Sequence, residues 1–301
     1  MKHSLSILIP TFNNVCVELV SALQAQAAAL PGLNYEILVA DDGSTQPDTV
    51  AANQAINQIE GCRYIVRKEN VGRASIRNFL AREAQGEWLL FIDSDMVVRK
   101  SDYVASYLQT IEAHSLHARL FYGGYTTSFA QADKHNLRYL FEQRNPQNAN
   151  CQLRQQSPYA DFHTSNFLIA RTLMLQFPLD ERFKHYGYED VLFGKTLQEN
   201  GIEICHIDNP LSFETFESNL AFLNKTEEGL RTLFCFRREL DSYSRLLQVV
   251  DNLERLPLVC KLTRNIFPFV SLHIKSRLTG NKPSVFWFNI YKLIYFIHLQ
   301  A

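Results

Sequence analysis

Short apolar runs separated by helical segments dominate the first hundred residues. Four runs are rich in leucine, β-branched or aromatic residues, as buried strands are, and they lie at residues 5–9, 36–40, 62–66 and 89–92. Helical patterns lie between them, at residues 15–30, at residues 47–59 and around Ile76, Phe79 and Leu80. Strands that alternate with helices predict right-handed βαβ units. The predicted fold class is therefore α/β, with a mostly parallel sheet flanked by helices.

The second half of the chain has a less regular pattern. Its predicted helices lie at residues 102–112, around residues 137–141 and at residues 191–199, and its predicted strands lie at residues 120–124, 162–169 and 202–205. A polar segment at residues 145–150 has no clear predicted structure. From Ser218 onward the pattern is helical, which predicts a helical C-terminal extension.

Polar side chains follow the predicted strands at the points where these strands end. Thr11 follows the first strand, Asp41 and Asp42 follow the second, and Asp93 and Asp95 follow the fourth. Ligands of parallel α/β sheets bind beyond the carboxyl ends of the strands. The shared position of these residues is the first evidence for a functional site.

Asp93-Ser94-Asp95 places two carboxylates two residues apart after an apolar strand. On extended chain such side chains point to the same side, where they repel each other unless a cation is present. The pattern therefore favours a divalent metal that holds phosphates, against the alternative of a solvated loop. Asp41-Asp42-Gly43-Ser44 likewise has a simpler alternative, because Asp and Gly are common in strand-to-helix turns.

Composition excludes several classes of protein. The chain has 301 residues, of which 46% are hydrophobic, enough to form the core of one large or two smaller domains. Its formal net charge of −1 gives no overall positive charge that would favour binding to nucleic acid. The six cysteines are scattered without a Cys-x-x-Cys pair, which fits buried thiols better than a disulfide frame or a zinc site. No signal peptide is evident at the N-terminus, so we expect a cytoplasmic protein.

The segment 255–301 differs from the rest of the chain. It contains seven Lys or Arg residues, eight aromatic residues and no Asp or Glu. The apolar run at residues 285–299 is shorter than the ~20 residues that a spanning helix needs. This composition favours peripheral contact with the inner face of a membrane. The alternative is a pair of helices that closes over the preceding domain with its cations solvated.

Several motifs in order resemble those of the family-2 glycosyltransferases of GT-A fold. These motifs are Ser6–Asn13, Ala40–Ser44, Asn70–Gly72 with Arg77-Asn78, Asp93–Asp95 and Glu189-Asp190. The resemblance covers roughly residues 4–215, and Phe177–Glu181 with Tyr186–Asp190 looks like bacterial members that build envelope polysaccharides. It implies a glycosyltransferase domain at 1–215, with a nucleotide-binding half at 1–100 and an acceptor half at 101–215, followed by the extension at 216–301.

The resemblance implies the transfer of a sugar from a nucleotide-diphosphate sugar to a hydroxyl of a glycan or lipid-linked glycan, with inversion. UDP is the nucleotide most frequent in the family. The implied nucleotide-binding residues are Pro10, Thr11, Asn13, Asp41, Asp42, Asn70, Gly72, Arg77 and Asp93. Asp95 would coordinate Mg²⁺ or Mn²⁺ on the diphosphate, and Asp93 would reach the ribose or a metal-bound water.

In the acceptor half the resemblance implies that Asp190 is the general base and that Glu189 helps to bind hydroxyls. Asn166 and Tyr188 would contact the acceptor. An inverting displacement needs one positioned base and no covalent carboxylate, which agrees with this assignment. Each residue also has a structural alternative. Asp190 is a favoured helix cap, Arg77 could pair with a surface carboxylate, and Asn166 could satisfy local backbone groups.

One position departs from the family pattern. Many members place a metal-binding His after an Asn-Pro turn, whereas Asn209-Pro210 here precedes Phe213, which cannot ligate a metal. His206 is a substitute only if it is not structural. A non-catalytic nucleotide-sugar-binding or assembly protein of the same fold is therefore the second hypothesis. A dinucleotide dehydrogenase is disfavoured, because no Gly-x-Gly-x-x-Gly follows the first strand.

Overall fold

The computed structural model describes residues 3–114, 119–127, 133, 135–241 and 243–300. The chain forms two compact units. The first unit consists of Met1–Ser128, Gln147–Lys184 and Phe193–Glu214. The second consists of Phe129–Pro146, His185–Leu192 and Thr215–Ala301.

In the described part of the chain, every strand belongs to the first unit. They are β1 Ser4–Thr11, β2 Asn34–Asp41, β3 Cys62–Val66, β4 Trp88–Ile92, β5 Met96–Val97, β6 Leu120–Tyr122, β7 Tyr125–Thr126, β8 Asn166–Ala170, β9 Cys205–His206 and β10 Leu211–Phe213. The strand expected at residues 162–169 begins only at Asn166. Of the strand expected at residues 202–205, only Cys205 lies in a strand, the short edge strand β9.

The helices are α1 Val17–Ala28, α2 Pro47–Asn53, α3 Arg73–Glu83, α4 Tyr103–His114, α5 Leu137–Glu142, α6 Cys151–Arg154, α7 Arg171–Gln176, α8 Glu189–Glu199, α9 Asn219–Cys235, α10 Arg245–Glu254, α11 Pro257–Thr279 and α12 Val285–Leu299. The polar segment at residues 145–150, for which no structure was predicted, contains the 3₁₀ turn Pro146–Asn148. The helical prediction from Ser218 onward is confirmed by α9 to α12.

The main sheet has the strand order β3-β2-β1-β4-β8-β6-β9. β1 pairs in parallel with both β2 and β4, and β2 pairs in parallel with β3. β8 runs antiparallel to β4 and β6, so the sheet is mostly parallel, as predicted. This order places the carboxyl ends of β2, β1 and β4 next to one another at one edge of the sheet.

The central strands β1 and β4 are buried on both faces, since consecutive residues along them are buried. All five residues of β4 are buried, and Leu5, Ile7, Leu8 and Ile9 of β1 are at most 1% exposed. A second sheet of three short strands has the order β5-β10-β7 and pairs Phe213 with Met96.

The second unit has its own core, formed by α5, α9, α11 and α12. Leu137, Phe222, Phe267, Phe288 and Tyr291 are among its buried members. A polar group lies within this core, where the hydroxyl of Tyr291 donates to Glu227 Oε1 at 2.6 Å and Lys275 Nζ lies 2.6 Å from the same oxygen. Among the described residues, no helix combines the length and the apolar character that crossing a bilayer requires.

Lys292 of α12 is a cation within this helical unit. Its ammonium lies 4.8 Å from the ring centres of both Phe141 and Phe288, and burial lowers the pKa of Lys292 from 10.5 to about 8. Between pH 8 and 10.5 the unfolded chain therefore binds more protons than the folded chain, so this group makes stability rise with pH. Below pH 8 the folded chain has to hold a partly desolvated charge.

We expect Lys292→Met to raise the melting temperature at pH 7 by a few degrees, because it removes this charge while keeping a flexible apolar side chain. The gain should shrink when the same measurement is made at pH 10. The exposed Lys261, replaced in the same way, serves as the control. A gain for Lys292→Met that does not depend on pH would contradict this account of the burial.

Candidate active site

The ends of β1 and β2 lie side by side at the carboxyl edge of the sheet. Pro10 pairs with Ala40 and Thr11 pairs with Asp41, and the amide of Asp42 donates to the Thr11 carbonyl oxygen at 2.8 Å. The Thr11 hydroxyl donates to the Asn14 carbonyl oxygen at 3.0 Å. The structure therefore brings Thr11, at the end of β1, next to Asp41 and Asp42, at the end of β2, as predicted.

Asp41 has both carboxylate oxygens engaged inside the fold. Oδ1 accepts from the Ser44 amide at 2.7 Å, and Oδ2 accepts from the Tyr64 hydroxyl at 2.5 Å. The side chain is fully buried. Burial, together with this bond to Asp41, raises the pKa of Tyr64 above its usual range. Asp41 therefore shapes the turn after β2, which is the simpler of the two interpretations that the sequence allowed.

Asp42 fixes the segment that precedes α3. Its two carboxylate oxygens accept from the amides of Val71 at 3.1 Å and Gly72 at 3.0 Å. Burial raises the pKa of Asp42, and these two amides oppose that shift. Gly72 has a φ of +93°, and a Cβ there would lie 2.9 Å from the Lys184 carbonyl oxygen, so this position requires glycine.

Two asparagines organise the loops around this edge. Asn13, with a φ of +51°, accepts at Oδ1 from the amides of Thr45 at 2.8 Å and Gln46 at 3.1 Å. Asn70 is exposed, and its Oδ1 accepts from the Gly72 amide at 3.2 Å. Both side chains hold backbone in place at the edge where a nucleotide was predicted to bind.

Asp93 and Asp95 lie on a tight turn rather than on extended chain. β4 ends at Ile92, and the Met96 amide donates to the Asp93 carbonyl oxygen at 3.1 Å, which closes the turn before β5. We expected the two side chains to point to the same side of an extended strand. That expectation was wrong, because the chain reverses direction at these residues. Asp95 is exposed and Asp93 is partly buried.

Arg77 connects α3 to this turn. It is only 2% exposed, its Nη1 donates to the Arg73 carbonyl oxygen at 3.1 Å, and its Nη2 donates to Asp93 Oδ1. The guanidinium lowers the electrostatic cost of holding two carboxylates on one short turn. The alternative of a purely surface ion pair is excluded, since Arg77 is buried and its partner belongs to the Asp-x-Asp motif.

Asn14 was not among the predicted site residues, although it contacts the same turn. Its Nδ2 donates to the carbonyl oxygen of Ser94 at 2.8 Å and to the hydroxyl of Ser94 at 3.2 Å. Its own carbonyl oxygen accepts from Thr11 and from Asn53 Nδ2. Asn14 therefore joins the loop after β1 to the Asp93–Asp95 turn, and the only signal in the sequence was its place in the polar loop after Thr11.

Asn166 does not contact an acceptor from its observed position. It is fully buried, and its Oδ1 accepts from the hydroxyls of Tyr103 at 2.5 Å and Tyr107 at 2.8 Å. Its Nδ2 donates to the carbonyl oxygens of Gly124 at 2.7 Å and Asn209 at 3.0 Å. These four bonds use the whole hydrogen-bonding capacity of the amide. We correct the acceptor-binding prediction, since Asn166 satisfies backbone and tyrosine groups of the core.

His206 is also structural. Its Nδ1 accepts from Arg154 Nε at 3.1 Å, and its Nε2 lies 2.9 Å from the Pro158 carbonyl oxygen. Burial lowers the pKa of His206 to about 4, so the ring is neutral at pH 7. Both ring nitrogens are engaged, which excludes His206 as a substitute metal ligand in this conformation.

The buried guanidinium of Arg154 organises the region around His206. Nη1 donates to the carbonyl oxygens of Gln147 at 3.2 Å and Asn148 at 2.8 Å, and Nη2 donates to those of Gly123 at 3.2 Å and Ile207 at 2.9 Å. Burial lowers the pKa of Arg154. Nothing in the sequence distinguished this arginine from an exposed one.

Phe213 lies beside the Asp-x-Asp turn. It is opposite Met96 in the pairing of β10 with β5, and is therefore one residue from Asp95 in register. Phe213 is buried, with 7% of its surface exposed. Within the described part of the chain, no group of three or more His, Cys, Asp or Glu side chains is arranged to hold a metal.

The predicted base lies in the second unit, at the start of α8. Gly187 and Tyr188 have left-handed backbone, with φ of +93° and +70°, and α8 begins directly after them at Glu189. A large side chain in this conformation is strained, and such strain concentrates at functional sites. Glu189 is buried, and Asp190 is partly exposed and accepts from the Val191 amide at 2.8 Å. Asp190 therefore lies in the first turn of α8 and is not the cap that precedes it.

A polar cavity of about 630 Å³ also lies in the second unit. Asp133, His135 and Lys282 are among its lining residues. None of the predicted site residues lines it, so this cavity is separate from the predicted active site.

Comparison with known proteins identifies the family. Residues 6–175 match the model of the family described as glycosyl transferase family 2. This match covers more than half of the 301 residues, and the chain belongs to that family. Poly(ribitol-phosphate) beta-glucosyltransferase of Bacillus spizizenii is 34% identical over 105 residues, which are 34% of this chain and 15% of that protein. The chain thus spans only a small part of this relative's length.

Two solved structures resemble the fold. A mannosyltransferase from Pyrobaculum calidifontis, in complex with GDP-Man and Mn²⁺, has a TM-score of 0.57 at 12% identity, with coverage of 99% of this chain and 85% of that chain. Staphylococcus aureus TarS 1–349, in complex with UDP-GlcNAc, has a TM-score of 0.53 at 16% identity, with coverage of 100% and 91%. At such identities the likeness concerns the fold alone, and it confirms the predicted GT-A architecture.

Proposed function

We propose that this chain transfers a sugar from a nucleotide-diphosphate sugar to a hydroxyl of a glycan or lipid-linked glycan, with inversion at the anomeric carbon. The observation that carries the proposal is the meeting of Thr11, Asp42 and Asp93 at the ends of three neighbouring parallel strands, with Arg77 bound to Asp93. Parallel sheets bind ligands at this edge. UDP is the proposed nucleotide, supported by the UDP-GlcNAc complex of TarS.

The loops at this edge give the nucleotide a rigid surface. Asn13, Asp41, Asp42 and Asn14 each hold backbone through hydrogen bonds of 2.7–3.1 Å. We assign the base and ribose to the surface formed by Pro10, Asn13 and Asn70, beside the buried Thr11 and Gly72. The carboxylates of Asp41 and Asp42 position that surface from behind, because their oxygens are bonded to Ser44, Tyr64, Val71 and Gly72.

The donor atoms on the Asp93–Asp95 turn fit a divalent cation that the substrate helps to hold. Mg²⁺ and Mn²⁺ are commonly bound by one or two carboxylates together with substrate phosphates. The chain supplies the exposed carboxylate of Asp95 and the Arg77-bound carboxylate of Asp93. Phe213, which is opposite Met96, is the residue at which the family resemblance implies a metal-binding His. Such a cation would offset the charge that develops on the departing diphosphate.

Asp190 is the proposed base that takes the proton of the attacking hydroxyl. Glu189 and Tyr188 are proposed to hold the acceptor or donor hydroxyls beside it. The left-handed backbone at Gly187 and Tyr188 supports this assignment, since it fixes the chain direction directly before the two acids. A single base and one displacement lead to inversion.

Calorimetry with UDP, GDP and dTDP sugars in the presence of Mn²⁺, followed by a turnover assay, tests the proposal. We expect Asp95→Asn to weaken UDP binding at least about tenfold with Mn²⁺ present and to have little effect without it. Asp102→Asn, an exposed carboxylate close by in sequence, is the control.

The same experiment separates the two hypotheses. If the wild-type chain binds a nucleotide sugar but turns over none of the sugars tested, the hypothesis of a non-catalytic binding or assembly protein is favoured. The departure at Phe213 is the observation that motivates this second hypothesis. If Mn²⁺ does not change UDP affinity in the wild-type chain, the metal assignment is rejected.

A further inference from the structure

One helix of the second unit is apolar on two opposite faces. α11 buries Cys260, Phe267, Ser271, Ile274 and Leu278 against its own unit. On the other side it exposes Leu258, Leu262, Ile266, Phe269 and Leu272, which follow one another at intervals of four, four, three and three residues. At the α-helical repeat of about 3.6 residues per turn, this second set forms one continuous stripe. We call these five exposed residues the outer stripe of α11.

The outer stripe consists of large side chains that protrude into solvent. Leu258 is 82% exposed, Phe269 is 83% exposed and Leu272 is 74% exposed. A surface helix normally turns polar residues outward, and a contiguous apolar patch on a folded protein marks an interaction site. The arrangement therefore requires a partner surface that is apolar along a line of about four helical turns.

The charges around the outer stripe indicate the chemistry of that partner. The segment from Arg255 to the C-terminus contains seven Lys or Arg residues and no acidic residue. Lys275 is bound to Glu227, whereas Arg255 and Lys261 are exposed on or next to α11. An apolar stripe bordered by cations complements a surface that is apolar inside and anionic outside.

We infer that the outer stripe of α11 inserts into the interface of an anionic lipid bilayer, with the helix axis parallel to the membrane plane. α11 is not apolar enough to cross the bilayer. A second copy of the chain is the weaker candidate, because two such faces would bring like charges together with no acidic residue in either segment to balance them. The inference does not depend on the proposed sugar transfer, since it concerns binding of the chain to lipid alone.

Vesicle flotation with the whole chain tests the inference. We expect binding at least about tenfold stronger to phosphatidylcholine vesicles with about one third phosphatidylglycerol than to phosphatidylcholine alone, and weaker binding at high salt. The double variant Leu262→Glu with Phe269→Glu should lose at least about tenfold of this affinity. The double variant Leu220→Glu with Val249→Glu adds the same charge at residues that are 55% and 47% exposed on α9 and α10, and it is the matched control that should bind as the wild type does.

A second variant guards against misfolding. Phe269→Trp keeps the stripe apolar, and its fluorescence should shift to the blue when anionic vesicles are added, whereas Val249→Trp should show no shift. The inference is overturned if the wild type binds neither kind of vesicle, or if it binds both equally. It is also overturned if sedimentation shows a dimer that the stripe variant abolishes while vesicles bind neither protein, which would assign the face to a second copy.

Discussion

Replacing Asp190 with Asn is expected to lower kcat for sugar transfer by about 10²–10⁴-fold, with donor affinity within about twofold of the wild type. Asn has the shape of Asp but cannot accept the proton of the attacking hydroxyl. Its amide oxygen can still accept the 2.8 Å bond from the Val191 amide, so the first turn of α8 should persist. Initial rates at saturating donor and acceptor, together with calorimetric donor binding, measure the two quantities separately.

Glu199→Gln at the opposite end of α8 is the control for this prediction. Glu199 is exposed and lies 3.8 Å from Lys195 in an i, i+4 pair, so its replacement removes a carboxylate from the same helix without touching the proposed site. Its kcat should match that of the wild type. If Asp190→Asn has the kcat of the wild type, the assignment of Asp190 as the base is disproved. The proposed donor site and the family membership do not depend on that assignment.

Arg154→Met is expected to lower the free energy of unfolding by about 3–5 kcal/mol. The substitution removes five donors, so four carbonyl oxygens and Nδ1 of His206 lose their hydrogen-bond partners in a buried region. Arg154→Lys should recover only part of the loss, because a single ammonium cannot reach groups that a planar guanidinium contacts in several directions. Denaturant unfolding of the three proteins measures these differences.

The control for Arg154 is Arg63→Met. Arg63 is an exposed arginine whose Nη2 lies 3.1 Å from Glu83 Oε2, and exposed pairs of this kind contribute about 0–1 kcal/mol. If the two variants lose the same free energy of unfolding, the buried contacts of Arg154 contribute no more to stability than an exposed ion pair does. A loss below about 1 kcal/mol for Arg154→Met would mean that water replaces the guanidinium at these carbonyl groups.

For the Asp-x-Asp motif, the sequence predicted the location in the fold but not the backbone conformation. The sequence correctly placed Asp93 at the end of a central strand, because an uninterrupted apolar run identifies a buried strand and ligands bind at its carboxyl end. It missed the reversal at Asp93–Met96, because a turn is defined by backbone hydrogen bonds and not by hydrophobic spacing. It also missed Asn14, whose partner Ser94 is eighty residues away.

The partners of the polar site residues were harder to predict from the sequence than the positions of these residues. Asp41, Asp42 and Asn166 all lie at or beside strand ends, where the sequence predicted ligand contacts. Asp41 and Asn166 instead direct their polar atoms into the fold, toward Ser44, Tyr64, Tyr103 and Tyr107. A buried polar atom needs a partner, and the sequence does not show whether that partner is a ligand or a distant part of the same chain.

The sequence by itself determined the α/β class, the four strands of the first hundred residues, the order of the motifs and the helical end of the chain. These features depend on local hydrophobic spacing and on residue types at strand ends, which act over a few residues. The antiparallel placement of β8, the buried contacts of Arg154 and His206 and the exposed outer stripe of α11 were decided only by the tertiary structure. They depend on which distant segments pack together, and that packing determines which side chains are buried, paired or left facing solvent.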